Sequence, residues 1–324
     1  MLRVHFTDED LIRVRVASAP DPLWEILLSL HALQVRRGPN AIRDWRGQVL
    51  SRIQEDRAQP MVKRLVTLAP IATYVPDFLT PIDASYGLEA GITAVRSTPR
   101  RRLRDEMASL AAVQRLPSWA QQIAEGRSSA LDGLGNDLQN YYDLALAPSW
   151  RHIHKKVDAD RGVRGRALLE GGVERLLEGL GPAMRWRRPV LEVDYPFDKK
   201  VQLDGRGLLL VPSFFCWRWP IGIADPALTP VLAYPVQHVA PPTAAATDLK
   251  PLLGATRAAI LEAATVARST GDLARLLDIS PATVSYHTSV LRGAGLIRSR
   301  REVSAVVHTV TSLGAALLNP EHDG

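Results

Sequence analysis

The chain of 324 residues has a single cysteine, Cys216, and no long hydrophobic run. One cysteine excludes an intrachain disulfide framework and a metal site built from several thiolates. The longest apolar run, residues 208–217, contains Pro212 and is too short to cross a bilayer. The N-terminal residues have no apolar stretch after a basic start, so a secretory signal is not expected. We therefore expect a cytoplasmic protein that does not bind a membrane.

The sequence also lacks the local signatures of several large enzyme classes. It has no Gly-Lys pair for a phosphate-binding loop, no Gly-x-Ser-x-Gly elbow and no His-Glu-x-x-His zinc motif. His152 and His154 form the best candidate metal pair, but on a helix they lie about 200° apart around the axis. They cannot bind one ion together from an intact helix. We expect no enzymatic activity, no bound metal and no cofactor.

The charge of the chain is moderately basic and evenly distributed. Lysine and arginine total 40 against 34 acidic residues, a formal net charge of +6. Residues 251–324 hold seven basic and six acidic residues, so the excess is not concentrated in one tail. This balance permits a polyanionic partner without requiring one.

Proline and small residues predict a domain boundary near residue 240. The segment from Pro241 to Lys250 begins Pro-Pro-Thr-Ala-Ala-Ala, a composition typical of an exposed linker. We predict an N-terminal domain of residues 1–240, a linker of residues 241–250 and a C-terminal domain of residues 251–324. The length fits two domains.

The N-terminal domain is predicted to be mainly helical with small antiparallel sheets, an α+β fold. Asp21-Pro22 and Asn40 are helix-start signals, and helical periodicity recurs from residue 98 to residue 180. Strands are predicted at residues 2–6, 11–16, 189–195, 200–203, 208–215 and 231–234. A turn at residues 204–207 connects two of them.

Residues 214–219 contain four aromatic side chains and the only thiol. Strand alternation places Phe215, Trp217 and Trp219 on one side of this segment. That side is a candidate wall of a pocket for an apolar or aromatic small-molecule effector. The alternative is ordinary core packing or a contact between domains.

The C-terminal domain has the pattern of a winged helix-turn-helix. Thr270 is predicted to cap a short helix, and Ser280-Pro281 to begin the next one. The pattern predicts helices at residues 252–266, 271–277 and 281–292 and strands at residues 296–301 and 305–310. A three-residue turn between the last two helices is typical of DNA-binding proteins.

The helix that starts at Pro281 is predicted to have two contrasting sides. Val284, Thr288 and Leu291 recur at helical spacing and form its buried side. The opposite side can enter a major groove, which is about 12 Å wide. It carries Pro281, Ala282, Ser285, Tyr286 and Ser289. Phosphate contacts are predicted for the basic side chains that follow, namely Arg292, Arg298, Arg300 and Arg301.

Residues 253–261, 272–287 and 291–302 resemble, in order and spacing, the ArsR-type bacterial transcription regulators. This resemblance implies a homodimer that binds an inverted repeat in double-stranded DNA, usually as a repressor released by a signal. The family's cysteine motif is absent from residues 271–277, so thiolate metal sensing is not expected. Thr288 replaces a usual leucine, which predicts a thinner core, and the predicted wing tip at residues 302–305 lacks the usual glycine and arginines.

The resemblance also places Thr283 and His287 at DNA-facing positions, and it links the N-terminal part to an uncharacterised region of some actinobacterial regulators. The complete set of predicted DNA contacts is Thr270, Ser280, Pro281, Ala282, Thr283, Ser285, Tyr286, His287, Ser289, Arg292, Arg298, Arg300 and Arg301. Two alternatives remain open. In the first, the N-terminal domain is an enzyme or ligand carrier tethered to DNA. In the second, the C-terminal domain is a protein-protein adaptor.

Overall fold

The chain divides into two compact units, Met1–His238 and Val239–Gly324. The structure is a computed structural model that describes residues 1–35, 38–217, 219–222, 228–236, 249–264, 268–301 and 306–318. Residues 241–248 of the predicted linker lie outside the described residues. Its last residue, Lys250, already begins a helix.

The first unit is mainly helical, as predicted. Its described helices are α1 (Asp8–Ile12), α2 (Pro22–Gln34), α3 (Asn40–Glu55), α4 (Gln59–Leu68), α5 (Leu88–Arg96), α6 (Arg100–Val113), α7 (Ser118–Ala124), α8 (Ser128–Tyr141) and α9 (Trp150–Glu178). Short 3₁₀ turns occupy Asp77–Leu79, Ile82–Tyr86 and Ala147–Ser149, and a π-helical turn occupies Tyr142–Leu146. Gly171 and Gly172 interrupt the helical geometry of α9. Among the described residues, no helix combines the length and apolarity needed to span a bilayer.

Helix α2 lies at the centre of the helical core. Its start is as predicted, because the Asp21 carboxylate accepts hydrogen bonds from the backbone N–H groups of Leu23 and Trp24, each at 3.0 Å. The sequence predicts one apolar face for α2, but the helix is buried on nearly every side, including at Glu25 and Ser29. Polar side chains at these positions must therefore find partners inside the protein.

The buried positions of α3 were predicted correctly, but its cap was not. Its predicted apolar positions, Ile42, Trp45, Val49 and Ile53, are all buried. The predicted cap is wrong, because Asn40 is the first helical residue, Pro39 precedes it and no side chain caps this end.

Residues 11–16 do not form the predicted strand. Instead α1 occupies residues 8–12, and only Arg15–Val16 is extended. The Thr7 hydroxyl oxygen accepts from the Asp10 N–H at 3.2 Å, while the Asp10 carboxylate accepts from the Thr7 N–H at 2.8 Å. This reciprocal capping stabilises a helix start that the alternating apolar pattern conceals.

The described strands of the first unit form two four-stranded sheets, with orders β3-β4-β1-β5 and β2-β6-β8-β7. They are β1 (Leu2–His5), β2 (Arg15–Val16), β3 (Met184–Arg187), β4 (Val190–Val193), β5 (Lys199–Gln202), β6 (Leu209–Ser213), β7 (Ile221–Gly222) and β8 (Val231–Pro235). Strands β3 and β7 were not predicted.

The prediction of antiparallel sheets is wrong for the first unit, because both sheets are mixed. Strand β1 pairs antiparallel with β4 but parallel with β5. Strand β6 pairs parallel with both β2 and β8. The turn at residues 204–207 therefore carries the chain from one sheet to the other and does not close a hairpin. An alternating pattern marks a strand but leaves its neighbour and direction open.

The second unit contains α10 (Lys250–Leu253), α11 (Ala255–Ala263), β9 (Arg268–Ser269), α12 (Thr270–Leu277), α13 (Pro281–Gly293), β10 (Ile297–Arg301), β11 (Val306–Val310) and α14 (Ser312–Leu318). The predicted single helix at residues 252–266 is two helices, separated at Gly254 with φ +82°. Glycine adopts this left-handed conformation without steric cost. The described strands pair antiparallel in the order β10-β11-β9.

Candidate functional site

Helices α12 and α13 meet at the predicted three-residue turn. Asp278 ends α12 in a left-handed conformation with φ 51°, and the Ile279 N–H donates to the Ala274 carbonyl at 3.1 Å. The Ser280 hydroxyl then accepts from the Thr283 N–H at 3.1 Å, and Pro281 is the first residue of α13. The predicted start of α13 is confirmed, and this geometry fixes the direction in which it leaves the turn.

Thr270 does not cap α12. Ser269 does, because its hydroxyl accepts from the Asp272 N–H at 3.1 Å while the Asp272 carboxylate accepts from the Ser269 N–H at 3.3 Å. Thr270 is half-buried, and its hydroxyl lies 2.9 Å from His308 Nε2 on β11. The sequence analysis missed β9, which extends the chain up to Ser269 and shifts the cap by one residue.

Helix α13 has the two contrasting sides that its sequence predicts. Val284, Thr288 and Leu291 are buried in the core of the unit. Thr288 fits there because its hydroxyl donates to the Ser285 carbonyl at 3.1 Å. The exposed side carries the predicted groove residues, with 66% of Tyr286 accessible to solvent. It is formed by Pro281, Ala282, Ser285, Tyr286 and Ser289.

Of the remaining predicted contacts, Ser280 precedes α13 and is exposed, whereas Thr283 and His287 on the helix are half-buried. The His287 ring packs edge-on against Tyr286 with centroids 5.1 Å apart. Its Nδ1 atom is shielded from solvent and has no hydrogen-bond partner among the described residues. This geometry places His287 at the border between the core and the exposed side of α13.

The predicted phosphate contacts surround the end of α13 and the strand that follows. Arg292, Arg298, Arg300 and Arg301 are all exposed, and none forms an ion pair with a described residue. In contrast, Arg275 on α12 pairs with Asp272. The predicted wing tip at residues 302–305 lies outside the described residues. Exposed guanidinium groups without acidic partners remain available for phosphate oxygens.

A family model described as a helix-turn-helix domain matches residues 252–300. The match includes α12, the turn and α13. No curated protein and no solved structure matches the chain. The C-terminal unit is thus a helix-turn-helix domain, a class of domain that indicates a DNA-binding transcription regulator.

The first unit contains a second candidate site, a cavity of about 580 Å³. The predicted ligand residues Phe215, Trp217 and Trp219 line it, together with Cys216. Their predicted strand alternation is wrong, because β6 ends at Ser213 and the following residues bend. The sequence analysis missed the residues that α2 and the segment after α4 contribute to the wall, because no local motif marks them.

His152 and His154 lie on α9 and have different partners. The His152 ring contacts Phe214 edge-on, with centroids 5.5 Å apart. His154 Nδ1 lies 2.9 Å from an Asp158 carboxylate oxygen. Each ring is therefore engaged locally on its own side of the helix.

Proposed function

We propose that the chain is a sequence-specific transcription regulator that binds double-stranded DNA through α13. The observation that carries this proposal is the division of α13 into a buried apolar side and an exposed side of small and polar residues. A side of this composition fits the major groove without steric conflict. The family match to a helix-turn-helix domain supports the same function.

Base contacts in this proposal come from Ser285, Tyr286 and Ser289, since these side chains are exposed on successive turns of α13. Phosphate contacts come from Arg292, Arg298, Arg300 and Arg301, which form no ion pair within the part of the chain that the structure describes. The antiparallel pair β10 and β11 acts as the wing, which makes the domain a winged helix-turn-helix. Two of the arginines, Arg298 and Arg300, project from β10 at alternate positions on one face of the strand.

We further propose an ArsR-type homodimer that binds an inverted repeat and acts as a repressor. The order and spacing of the residues in the second unit support this assignment. Two α13 helices in such a dimer occupy half-sites about 34 Å apart. The first unit dimerises, senses a signal or does both. The signal is not a metal bound by thiolates, since the only cysteine is Cys216, and burial raises the pKa of its thiol.

Selection of bound genomic fragments with the purified full-length chain tests the proposal, followed by gel shift at two salt concentrations. We expect a discrete inverted repeat whose affinity falls as salt rises. The double variant Tyr286→Ala/Arg300→Ala should lose specific binding, because it removes one base contact and one phosphate contact.

The matched control is Arg275→Ala, which removes an arginine of the same domain that already pairs with Asp272. It should bind the selected site like wild type. Weak, sequence-independent binding by wild type, or equal losses in the control and the double variant, would contradict the proposal. Complete absence of DNA binding would favour a protein-protein adaptor.

A further inference from the structure

The cavity of the first unit is built by elements that follow the carboxyl ends of two parallel strands. Strands β2 and β6 pair in parallel. Strand β6 ends at Ser213, and the segment after it lines the cavity with Trp217 and Trp219. Strand β2 is followed by α2, which lines the cavity with Leu27 and Leu28. In sheets with parallel strands, ligands bind preferentially in the crevice outside these carboxyl ends.

Two further segments of the first unit, residues 71–77 after α4 and residues 195–199 at the start of β5, complete the walls. The volume of about 580 Å³ falls within the range typical of small-molecule sites. The position in the sheet and the size of the cavity therefore both fit a ligand site.

Aromatic side chains are concentrated in the lining. They make up 6% of the sequence, but seven of the 24 lining residues that the structure describes are aromatic. Five of these seven are half-buried, so part of each side chain stays accessible to a bound molecule. The five are Tyr74, Tyr195, Phe197, Trp217 and Trp219.

Ordinary core packing, the alternative interpretation of residues 214–219, fits only the first three of them. Phe214, Phe215 and Cys216 are buried in the core. Trp217 and Trp219 are half-buried and border the cavity instead. Because a close-packed core leaves few voids larger than a water molecule, these two side chains lie at the edge of the core and not within it.

Several of the half-buried rings are already held in place. The Tyr195 and Phe197 rings pack edge-on with centroids 5.0 Å apart, in a segment that leads into β5 and its parallel pairing with β1. The Trp217 ring packs over Gly38, where a Cβ atom would lie only 3.5 Å from the ring. Rings fixed before a ligand arrives make offset and edge contacts with another ring at little cost in ordering.

We propose that this cavity binds a small molecule with an aromatic ring system, which contacts the Trp217 ring and the other half-buried rings of the lining. These ring contacts select the aromatic molecule over a saturated molecule with the same carbon skeleton. The proposal goes beyond the proposed DNA-binding function and does not depend on it.

Equilibrium dialysis of the full-length chain without DNA tests the proposal in wild type. The probes are 2-naphthylmethanol and decahydro-2-naphthylmethanol, which share one substituent and one carbon skeleton and differ in ring saturation. Burial of apolar surface alone favours the saturated probe, because its apolar surface is the larger. We expect the aromatic probe to bind at least about threefold more tightly. Equal or tighter binding of the saturated probe, or no binding of the aromatic probe up to its solubility, overturns the proposal.

Trp217→Leu then tests the ring contact, since leucine keeps an apolar side chain without a ring. The preference for the aromatic probe should fall roughly two- to tenfold in this variant, the effect expected for one ring pair. Trp217→Phe retains a ring and should keep most of the preference.

The matched control is Trp186→Leu. Trp186 is also half-buried, and its ring packs edge-on against Phe6 with centroids 5.2 Å apart, but it is not among the described lining residues. The preference should be unchanged in this control. An unchanged preference in Trp217→Leu, or the same fall in Trp186→Leu, overturns the proposal.

Discussion

Glu25 is a buried glutamate on α2 whose replacement by glutamine should remove a loss of stability that the wild type undergoes as pH rises. Its carboxylate is fully buried and accepts from the Phe214 N–H at 2.7 Å, the Phe215 N–H at 3.1 Å and the Ser213 hydroxyl at 2.9 Å. These hydrogen bonds favour the charged form, but burial outweighs them. It raises the pKa of Glu25 from 4.5 to about 7, with a smaller contribution from Asp21.

A pKa that is higher in the folded state than in the unfolded state lowers stability as pH rises through the interval between the two values. For Glu25 this interval runs from 4.5 to about 7. At about 1.4 kcal/mol per unit, the wild type should lose roughly 3 kcal/mol across it. Glutamine does not titrate, and Asp21 is common to both proteins. Relative to wild type, Glu25→Gln should therefore gain roughly 3 kcal/mol between pH 5 and pH 8.

The stability of Glu25→Gln relative to wild type at each pH depends on the hydrogen bonds that the amide can form. At pH 5 the amide nitrogen of the variant carries two N–H donors and cannot accept, so the backbone N–H of Phe214 or Phe215 loses its acceptor. The variant should therefore be less stable than wild type by about 1–3 kcal/mol at this pH. At pH 8 the relative gain of roughly 3 kcal/mol offsets this cost, so the variant should be at least as stable as wild type. A difference of roughly 3 kcal/mol corresponds to roughly 6–12 °C in Tm for a unit of this size.

Urea denaturation followed by tryptophan fluorescence measures this difference in the full chain. All seven tryptophans lie between residues 24 and 219, so the signal reports the first unit alone. The control is Glu89→Gln, an exposed glutamate at the start of α5, which should change stability by less than about 1 kcal/mol at both pH values. A Glu25→Gln variant that loses stability relative to wild type as pH rises would show that the three hydrogen bonds outweigh burial, contrary to our reasoning.

Three further changes test the electrostatic and polar contacts. Arg298→Ala should reduce the slope of log affinity against log salt for the selected operator by about 0.9, because one phosphate contact is lost. Ser269→Ala should destabilise the second unit by about 1 kcal/mol in calorimetry, since it removes the cap of α12. Asp160→Asn should lower the urea stability of the first unit by about 3 kcal/mol or more, because the buried guanidinium of Arg164 and the Tyr234 hydroxyl both bind that carboxylate.

The outcomes that would contradict these expectations are specific. An unchanged salt slope in Arg298→Ala would remove Arg298 from the phosphate contacts. Unchanged stability in Ser269→Ala would contradict its role as the cap of α12. Loss of less than about 1 kcal/mol in Asp160→Asn would show that water reaches this pair, since an exposed ion pair contributes that little.

The helix-turn-helix could be predicted from the sequence because local chemistry specifies it. Ser280-Pro281 starts α13, and the helical recurrence of Val284, Thr288 and Leu291 identifies its buried side. These signals operate within a few residues, so no distant part of the chain can change them greatly. The same holds for Asp21-Pro22 at the start of α2. At Thr270 the local signal was misjudged by a single position, whereas at residues 11–16 the alternating pattern concealed the end of a helix.

The arrangement of the sheets and the cavity depended on the tertiary structure. Parallel pairing of β6 with β2 and β8 joins strands far apart in the chain, and no pattern within a strand encodes that choice. The aromatic residues at 214–219 were visible in the sequence, but His31 on α2 became their neighbour only through folding. Local signals thus fixed where α13 begins and which of its sides is buried, while long-range packing decided which residues line the aromatic cavity.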